Sequence, residues 1–284
     1  MSAFTQSDIQ TKDGFTITTR SFAPTESPKG AVLIVPAMGV AQNFYKAFAA
    51  WLRDQGYLVV TFDFRGIGLS RSESLRGFEA DIFTWAEQDC GAVLDSIINE
   101  NPELPIFWVG HSLGGQILPL VPKWNHVAKM VTVATGSGYW RENAPSLKRI
   151  SWWLWYVAVP ATLPLFGYFP GKRLRKVGDL PKGVMAQWRR WCLNREYLVG
   201  VEGESFRQLF STVDKPITSF SFEDDQYMSK RNTESIHGFY TASDLKLKRF
   251  SKQEMDGQTV GHFGFFRSKF KKSLWPNLLS ELTV

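Results

Sequence analysis

Cysteine and histidine are scarce in this sequence of 284 residues, which contains two cysteines and four histidines. Cys90 and Cys192 lie far apart in the chain, without the close spacing of metal sites or disulfide frameworks, so we expect two reduced thiols. Residues 1–15 have neither a basic leader nor an apolar core, which predicts that they are not a secretory signal. These absences favour a cytoplasmic protein without a structural metal.

Charge is missing altogether from residues 150–170, whose sequence is ISWWLWYVAVPATLPLFGYFP. A segment of this length is about long enough to cross a bilayer. Pro160, Pro164 and Gly167 argue against a straight spanning helix there. We therefore expect an aromatic cap over an apolar pocket, with peripheral membrane contact through the cap as an open alternative.

Elsewhere, short apolar runs alternate with segments whose apolar residues recur at helical spacing. The runs GAVLIVPAMG, YLVVTFDFRG, PIFWVGHS and VAKMVTVATG have the length and continuity of strands buried on both faces. Amphipathic segments at 43–57 and 81–101 lie between them, and LGGQILPLV is predicted to begin a helix. Asp13-Gly14 predicts an N-terminal hairpin. This order is typical of an α/β protein with a mostly parallel, doubly wound sheet.

The alternation stops near residue 139 and resumes near residue 211. The resumed pattern has a strand in KPITSFSFEDD, a helix in KRNTESIHGFY, a strand in LKLKRF and a last helix from about Phe263. The interval 140–210 contains six of the eleven tryptophans and no clean strand. We predict a core formed by residues 1–139 and 211–284, with residues 140–210 inserted as a helical cap.

Positive charge exceeds negative charge, with a formal net charge of +6 at pH 7. Between residues 141 and 200, 11 Lys or Arg residues stand against 3 Asp or Glu residues. A basic, aromatic cap would suit an acyl chain with an anionic end, such as an acyl-CoA or a phospholipid, and a solvated basic face is an equal alternative. No motif that reads nucleic acid accompanies the charge, so no nucleic-acid partner is expected.

The stretch Gly110-His111-Ser112-Leu113-Gly114 fits the pattern G-x-S-x-G between a predicted strand and a predicted helix. A sharp turn from strand to helix strains the serine backbone and leaves no room for side chains at the two glycines. The turn lifts the Ser112 hydroxyl clear of the sheet, where the helix N-terminus would face a developing negative charge. We expect Ser112 to be a nucleophile.

A serine hydroxyl needs a general base at neutral pH, and the base needs an orienting carboxylate. His262 follows the last predicted strand, which places it at the carboxyl end of the sheet beside Ser112. His111 lies inside the elbow, next to the serine it would have to deprotonate. His126 and His237 are expected at the opposite end of the sheet. We therefore predict His262 as the base.

The carboxylate is expected from the end of the strand PITSFSF. Glu223, Asp224 and Asp225 all follow this strand and would lie at the correct end of the sheet. Asp225 is our prediction and Asp224 is the alternative. The chain order of serine, aspartate and histidine is that of hydrolases with this elbow.

These motifs resemble the α/β-hydrolase family, and most closely its branch of serine aminopeptidases, monoacylglycerol lipases and lysophospholipase-like enzymes. FDFRGIGLS is similar to the branch's Asp-x-Arg-Gly-x-Gly-x-Ser motif, and VGHSLGG is similar to its elbow. SFEDD resembles the turn whose final aspartate is catalytic, which implies Asp225, although Phe222 replaces the first glycine. His262 matches the family histidine by order and setting.

One departure from the family lies after the first buried strand, where VPAMG replaces the usual His-Gly. The resemblance implies that the backbone N–H groups of Met38 and Leu113 form the oxyanion hole. Backbone donors survive a change of side chain, so the hole is expected to persist.

Together these features predict a serine hydrolase that cleaves a carboxylic ester or related acyl bond, on an apolar small-molecule substrate, through an acyl-enzyme and without a cofactor. One alternative is a non-catalytic module with the same fold that binds a ligand or a partner. Another is an aminopeptidase or thioesterase with the same three residues. The oligomeric state is left open.

Overall fold

The structure is a computed structural model that describes residues 4–71, 74–174 and 177–283. Within these ranges there are ten strands, and they are β1 (Thr5–Gln10), β2 (Thr16–Phe22), β3 (Ala31–Val35), β4 (Leu58–Phe62), β5 (Ile106–His111), β6 (Val127–Val133), β7 (Tyr168–Phe169), β8 (Leu180–Pro181), β9 (Ile217–Phe222) and β10 (Leu245–Phe250).

Eight of these strands form one sheet in the order β1-β2-β4-β3-β5-β6-β9-β10. The β1–β2 and β2–β4 pairs are antiparallel, and the remaining pairs are parallel. The predicted mostly parallel sheet is therefore confirmed. So is the N-terminal hairpin, in which Gly14 takes a φ of 82° that favours glycine.

α-Helices follow β3, β4, β6 and β9 in the chain, as the sequence predicts, but none lies between β5 and β6 among the described residues. The α-helices of the described ranges are α1 (Lys46–Asp54), α2 (Ile82–Thr84), α3 (Gly91–Glu100), α4 (Pro145–Trp153), α5 (Val159–Phe166), α6 (Lys182–Leu193), α7 (Tyr197–Glu202), α8 (Glu204–Thr212), α9 (Lys230–His237) and α10 (Trp275–Leu279). A π-helical turn at Trp85–Cys90 joins α2 to α3, and another at Leu154–Ala158 joins α4 to α5.

Apolar side chains form two buried clusters, one on each face of the sheet. In β3, Leu33 belongs to one cluster and the adjacent Val32 and Ile34 belong to the other. Successive side chains of a strand point to opposite faces, so every residue of a doubly covered strand is buried. This geometry explains why β3 and β5 appear in the sequence as continuous apolar runs.

The prediction of a helix directly after Ser112 is wrong. The chain forms two short 3₁₀ turns instead, at Ser112–Gly115 and Leu118–Leu120. Two consecutive glycines lower the stability of an α-helix at this place, and Pro119 removes a backbone donor. The elbow therefore lacks the N-terminus of a regular α-helix, and the expected contribution of a helix dipole falls away.

The last helix is also shorter than predicted. It begins at Trp275 rather than near Phe263. The intervening segment consists of turns and one 3₁₀ turn at Ser268–Phe270. Phe265 and Phe266 are adjacent and both fully buried, so packing of neighbouring rings decides the course of the chain here rather than helical periodicity.

Helices α4 to α8 and the small antiparallel pair β7–β8 lie between β6 and β9, in the interval for which we predict a cap. The boundaries at residues 140 and 210 stay a prediction. Arg175 and Lys176, which contribute to the basic charge predicted there, lie outside the described residues. No helix within the described ranges is long and apolar enough to cross a membrane.

Candidate active site

Ser112 stands on a strained turn immediately after β5. Its φ of 51° lies in the left-handed region that residues other than glycine seldom adopt. A Cβ atom on Gly110 would overlap the carbonyl oxygen of Gly114, and one on Gly114 would overlap that of Val35. The two flanking glycines are therefore required by the close approach of the backbone, and the turn has the form of a nucleophile elbow.

The imidazole of His262 is held by Asp225. The Nδ1 atom of His262 lies 2.8 Å from the Oδ2 atom of Asp225. The other carboxylate oxygen of Asp225 accepts hydrogen bonds from the backbone N–H groups of Tyr227 at 2.8 Å and Met228 at 3.0 Å. The Asp225 side chain is almost fully buried, so its orientation is set by these three bonds.

Asp224 has a different partner. Its carboxylate accepts hydrogen bonds from the backbone N–H groups of Val260 at 2.8 Å and Gly261 at 2.9 Å. Asp224 thus ties the segment that immediately precedes His262 to the end of β9, while Asp225 contacts the imidazole itself. The two neighbouring aspartates thus form hydrogen bonds with different residues of the same loop.

Ser112 and His262 line one cavity of about 180 Å³ together with Met38, Tyr227 and Phe263. Among the described residues, no hydrogen bond joins the Ser112 hydroxyl to the His262 imidazole. Hydrogen bonds of this kind are commonly long in ligand-free proteins and tighten in the complex with substrate. The structure therefore brings the serine and the histidine to one cavity and pairs the histidine with Asp225.

The two residues predicted to form an oxyanion hole, Met38 and Leu113, both lie near Ser112. Met38 lines the same cavity as Ser112, in the loop that follows β3. Leu113 is the second residue of the 3₁₀ turn at the elbow, a position where helical geometry leaves the N–H group without an internal partner. The VPAMG sequence thus brings Met38 to the cavity of the serine although it lacks the His-Gly pair.

The other histidines have separate partners. His237 is fully buried, with Nδ1 2.7 Å from the carbonyl oxygen of Thr233 and Nε2 2.9 Å from the Thr132 hydroxyl. Burial lowers the pKa of His237 to about 4. His126 lies in a 3₁₀ turn just before β6, at the amino end of that strand. Neither histidine lines the cavity of Ser112.

His111 and Tyr45 form a polar pair that the sequence analysis did not identify. The Tyr45 hydroxyl lies 2.8 Å from Nδ1 of His111 and accepts a hydrogen bond from the Ala37 N–H group at 2.9 Å. Nε2 of His111 lies 2.9 Å from the backbone oxygen of His262. Burial, with a smaller contribution from neighbouring His262, lowers the pKa of His111 to about 3. No sequence pattern links residues this far apart.

An apolar cavity adjoins the cavity of Ser112. It also measures about 180 Å³, and four of its lining residues, Val177, Trp188, Tyr227 and Met228, line both cavities. Most of its other lining residues come from the helical interval 140–210, and they include Leu147, Ile150, Leu154 and Trp155. The arrangement offers an apolar group of a ligand an apolar site close to Ser112.

Residues of the FDFRGIGLS motif support the loops around the site rather than lining it. The Asp63 carboxylate accepts hydrogen bonds from the backbone N–H groups of Gln42 at 2.7 Å and Leu69 at 2.9 Å. Arg65 forms ion pairs with buried Asp89 at 2.7 Å and with Asp13. These contacts join the loop after β4 to the 3₁₀ turn that precedes α1, to the N-terminal hairpin and to the π-helical turn that contains Asp89.

Comparison with known sequences identifies relatives of this chain. The family model described as serine aminopeptidase, S33, matches residues 26–180. Human monoglyceride lipase is 30% identical over 124 residues, which are 43% of this chain and 40% of that protein. The mouse enzyme of the same name is 30% identical over 109 residues. The chain thus aligns with less than half the length of these relatives.

Solved structures match over almost the whole chain. A soluble variant of monoglyceride lipase from Saccharomyces cerevisiae, in complex with a substrate analogue, covers 99% of this chain and 96% of its own, with a TM-score of 0.69 and 16% identity. A thermostable carboxyl esterase from Bacillus coagulans covers 99% and 98%, with a TM-score of 0.62 and 14% identity. At these identities the likeness establishes the fold, which is that of the α/β-hydrolases.

Proposed function

The chain belongs to the serine aminopeptidase S33 family of α/β-hydrolases, and from that membership we propose that it is an esterase of the lipase type. Its reaction is the cleavage of a carboxylic ester with an apolar acyl chain, through an acyl-enzyme on Ser112. His262 is the general base and acid, and Asp225 orients it.

The observation that carries the proposal is a single cavity shared by three kinds of group. Ser112 stands on the strained elbow, and His262, with Nδ1 bonded to Asp225, lines the same cavity. Met38, whose backbone N–H group is the proposed oxyanion donor, lines this cavity too. A nucleophile, an oriented base and an oxyanion donor around one space are what acyl transfer requires.

In the first half of the proposed reaction, the Ser112 oxygen attacks the ester carbonyl carbon. Nε2 of His262 takes the hydroxyl proton as the new C–O bond forms. Asp225 keeps the Nδ1 proton on the imidazole, so that Nε2 is free to accept, and stabilises the imidazolium that results. The N–H groups of Met38 and Leu113 donate to the carbonyl oxygen as it becomes negative.

The tetrahedral intermediate then collapses. The bond to the leaving alcohol breaks, and His262 passes its proton to the alcohol oxygen. Water attacks the carbonyl carbon of the remaining Ser112 ester while His262 takes a proton from the water. The bond between that carbon and the serine oxygen then breaks, His262 returns the proton to the serine oxygen, and the acid product leaves. These steps use only side chains, backbone N–H groups and water.

The adjoining apolar cavity supports the choice of an apolar acyl chain. Leu147, Leu154 and Trp155 line it on the side of the helical interval, so a chain leaving the reacting carbonyl would be transferred from water to apolar surroundings. The sequence relatives named monoglyceride lipase suggest a monoacylglycerol as the first substrate to test.

Reaction with a fluorophosphonate probe tests the proposed nucleophile directly. We expect intact-mass measurement of the wild-type protein to show one adduct per chain, and the Ser112→Ala variant to show none. Folding of both proteins is checked by circular dichroism. A folded wild-type protein that forms no adduct would favour a non-catalytic binding module.

A substrate panel then separates the remaining alternatives. Monoacylglycerols, p-nitrophenyl esters, acyl-CoA thioesters and aminoacyl amides are compared with the Ser112→Ala protein as the blank. We expect the highest kcat/KM for esters with an apolar chain. A clear preference for aminoacyl amides or thioesters would instead assign the same three residues to an aminopeptidase or thioesterase.

We further propose that the helical segment from α4 to α5 contacts membranes that carry anionic lipids. Large apolar side chains on it are 41–67% exposed, and they are Ile150, Trp152, Trp153, Tyr156, Val157 and Leu165. Lys148 and Arg149 flank the tryptophans in a shallow depression, where they suit lipid phosphates.

Co-sedimentation with vesicles tests this contact. We expect the wild-type chain to bind vesicles that contain phosphatidylserine more tightly than neutral ones, and the double variant Trp152→Ser, Trp153→Ser to lose most of the binding. Replacement of exposed Leu209, which lies on α8, by serine is the matched control. Equal binding by wild type and double variant would contradict the proposal.

A cytoplasmic location completes the proposal. Cys90 and Cys192 are both buried and unpaired, which suits a reducing compartment. Fractionation of cells that express the tagged chain is the test, and recovery of the protein from an oxidising compartment would contradict it.

A further inference from the structure

Consecutive hydrogen bonds connect the loop after β3, which contains Ala37 and Met38 and is called the oxyanion loop below, to the loop of His262. The series begins at the Ala37 N–H group, which donates to the Tyr45 hydroxyl at 2.9 Å. It continues from Tyr45 to Nδ1 of His111 at 2.8 Å, and from Nε2 of His111 to the backbone oxygen of His262 at 2.9 Å. Ala37 immediately precedes Met38, the proposed oxyanion donor. The hydrogen bonds therefore connect the residue next to this donor with the backbone of the proposed base, His262.

The backbone oxygen of His262, at one end of these hydrogen bonds, fixes which group is the donor in each of them. A backbone carbonyl can only accept, so Nε2 of His111 carries a proton and donates to His262. In a neutral imidazole Nδ1 then accepts, and the Tyr45 O–H group is its donor. The Tyr45 oxygen keeps a lone pair for the Ala37 N–H group. Each donor thus has one acceptor, and no other assignment with a neutral imidazole satisfies all three bonds.

The surroundings make these bonds hard to replace with water. Tyr45 and His111 are fully buried, and Ala37 is 3% exposed. Low local polarity strengthens a satisfied hydrogen-bond chain and makes an unpaired member costly. The rings are also fixed by packing, with Phe266 4.9 Å from both the Tyr45 and the His111 ring centroids. These hydrogen bonds therefore connect the two loops through side chains that have little freedom to move.

Two departures from the expected site make the hydrogen bonds between the oxyanion loop and the His262 loop more important. The oxyanion loop has Pro36 and Ala37 where the sequence motif would have His-Gly, and the elbow is followed by 3₁₀ turns in place of an α-helix. Without a regular helix, the position of the loop donors matters more for stabilising an oxyanion. The Tyr45–Ala37 bond holds the residue adjacent to one of them.

We propose that Tyr45 and His111 are positioning residues that set the distance between the oxyanion donor at Met38 and the general base His262. This inference rests on the proposed serine esterase function. Neither residue touches the reacting atoms. Each acts through a backbone group, Tyr45 through Ala37 and His111 through His262.

The Tyr45→Phe variant removes one oxygen atom and keeps the ring. We expect kcat to fall about tenfold to a hundredfold, as expected for a misplaced catalytic group, while KM stays within about twofold. Tyr57→Phe is the matched control, because the buried Tyr57 hydroxyl donates to the Leu282 carbonyl at 2.6 Å, at the opposite end of the sheet. This control is expected to keep the wild-type kcat.

Replacement of His111 provides a rescue test. A glutamine side chain has an N–H donor and an oxygen acceptor, so His111→Gln can restore both bonds, whereas His111→Leu can restore neither. We expect His111→Gln to keep kcat within about threefold of wild type and His111→Leu to lose at least about tenfold. Equal losses in the two variants would show that only packing matters at this position, which would overturn the inference.

Nitrogen NMR of ¹⁵N-histidine-labelled protein reads the tautomer without any substrate. We expect His111 as the Nε2–H tautomer and His237, whose Nδ1 faces the Thr233 carbonyl, as the opposite Nδ1–H tautomer. An Nδ1–H tautomer at His111 would overturn the inference even if the variants fold poorly.

The two proposals fail in different ways. A folded wild-type protein without fluorophosphonate adduct or ester turnover overturns the proposed function. A reactive wild-type protein whose folded Tyr45→Phe variant keeps kcat within twofold overturns only the positioning role.

Discussion

Asp225 and Asp224 are adjacent in sequence, yet only Asp225 contacts the imidazole of His262, with its Oδ2 atom 2.8 Å from Nδ1. Asp224 turns to the backbone N–H groups of Val260 and Gly261. Successive residues after a strand point in different directions, so one carboxylate reaches the ring and the other reaches the chain that leads to it. This division of contacts leads to the first prediction.

Asp225→Asn should reduce kcat far more than Asp224→Asn. An amide in place of Asp225 no longer stabilises the imidazolium and favours the wrong tautomer, for which a loss of up to about 10⁴-fold is expected. Asp224→Asn keeps one acceptor for the two N–H groups, so a loss of about tenfold or less is expected. Steady-state kinetics on a p-nitrophenyl ester measures both. A larger loss of kcat for Asp224→Asn than for Asp225→Asn would instead identify Asp224 as the residue that orients His262.

Gly114→Ala should destabilise the elbow and abolish turnover. The added Cβ would overlap the Val35 carbonyl, which is backbone and cannot rotate away. Overpacking of this kind costs about 1–3 kcal/mol of unfolding free energy, and more where the backbone must move. Denaturant unfolding measures the loss. Gly77→Ala is the control, because a Cβ there meets no atom within 4 Å, although its φ of 75° retains some strain. Equal stability of Gly114→Ala and wild type would contradict the elbow geometry.

Leu154→Trp should shorten the preferred acyl chain. Leu154 lines the apolar cavity that adjoins Ser112 but does not line the cavity of Ser112 itself. A larger ring would fill the space for the distal part of a chain, so kcat/KM for long-chain esters should fall about tenfold or more while that for acetate esters stays the same. A uniform change across chain lengths would show that the acyl chain binds elsewhere.

Stability below pH 5 should depend on Glu281. Burial raises the pKa of this carboxyl, but hydrogen bonds from Lys129, Lys248 and Thr218 outweigh it and lower the pKa from 4.5 to about 2. A carboxyl whose pKa is lowered by folding stabilises the protein fully above its unfolded pKa. That contribution is lost as the pH falls from about 4.5 towards 2.

Glu281→Gln is the matching variant. It should lower the free energy of unfolding at pH 7 by about 1–3 kcal/mol, because the hydrogen bonds to two charged lysines are weakened. Denaturant unfolding at pH 7, 4 and 3 should show the difference from wild type shrinking as the pH falls. A difference that is the same at all three pH values would contradict this role.

Local sequence was sufficient for those features that depend on neighbouring residues. The continuous apolar runs predicted the buried parallel strands, because a strand covered on both faces has no polar side. Gly14 and Asp13 predicted the hairpin turn. The glycines around Ser112 predicted a sharp turn after β5, and Ser112 has the expected strained φ. Local reasoning was wrong for the helix after the elbow, where apolar spacing concealed the effect of Gly114, Gly115 and Pro119.

Some features of the candidate site had no local signal. Tyr45, His111 and the backbone of His262 meet only in the folded chain. Tyr45 and His111 are 66 positions apart in sequence, and His111 and His262 are 151 positions apart. The adjoining cavities likewise depend on how residues of α4 and α6 meet the loop that contains Tyr227 and Met228. Exposure of Trp152 and Trp153 is also a tertiary property, since a tryptophan-rich segment can equally well be buried.

The sequence by itself determined the alternation of strands and helices, the strained serine and the set of charged residues available at the carboxyl end of the sheet, because each follows from short-range backbone geometry and apolar spacing. Tertiary packing alone decided which aspartate meets His262, which groups face the two ring nitrogens of His111 and where apolar space opens beside Ser112. Those outcomes depend on distances of a few ångströms between segments far apart in the chain, and such distances exist only once the sheet has brought the segments together.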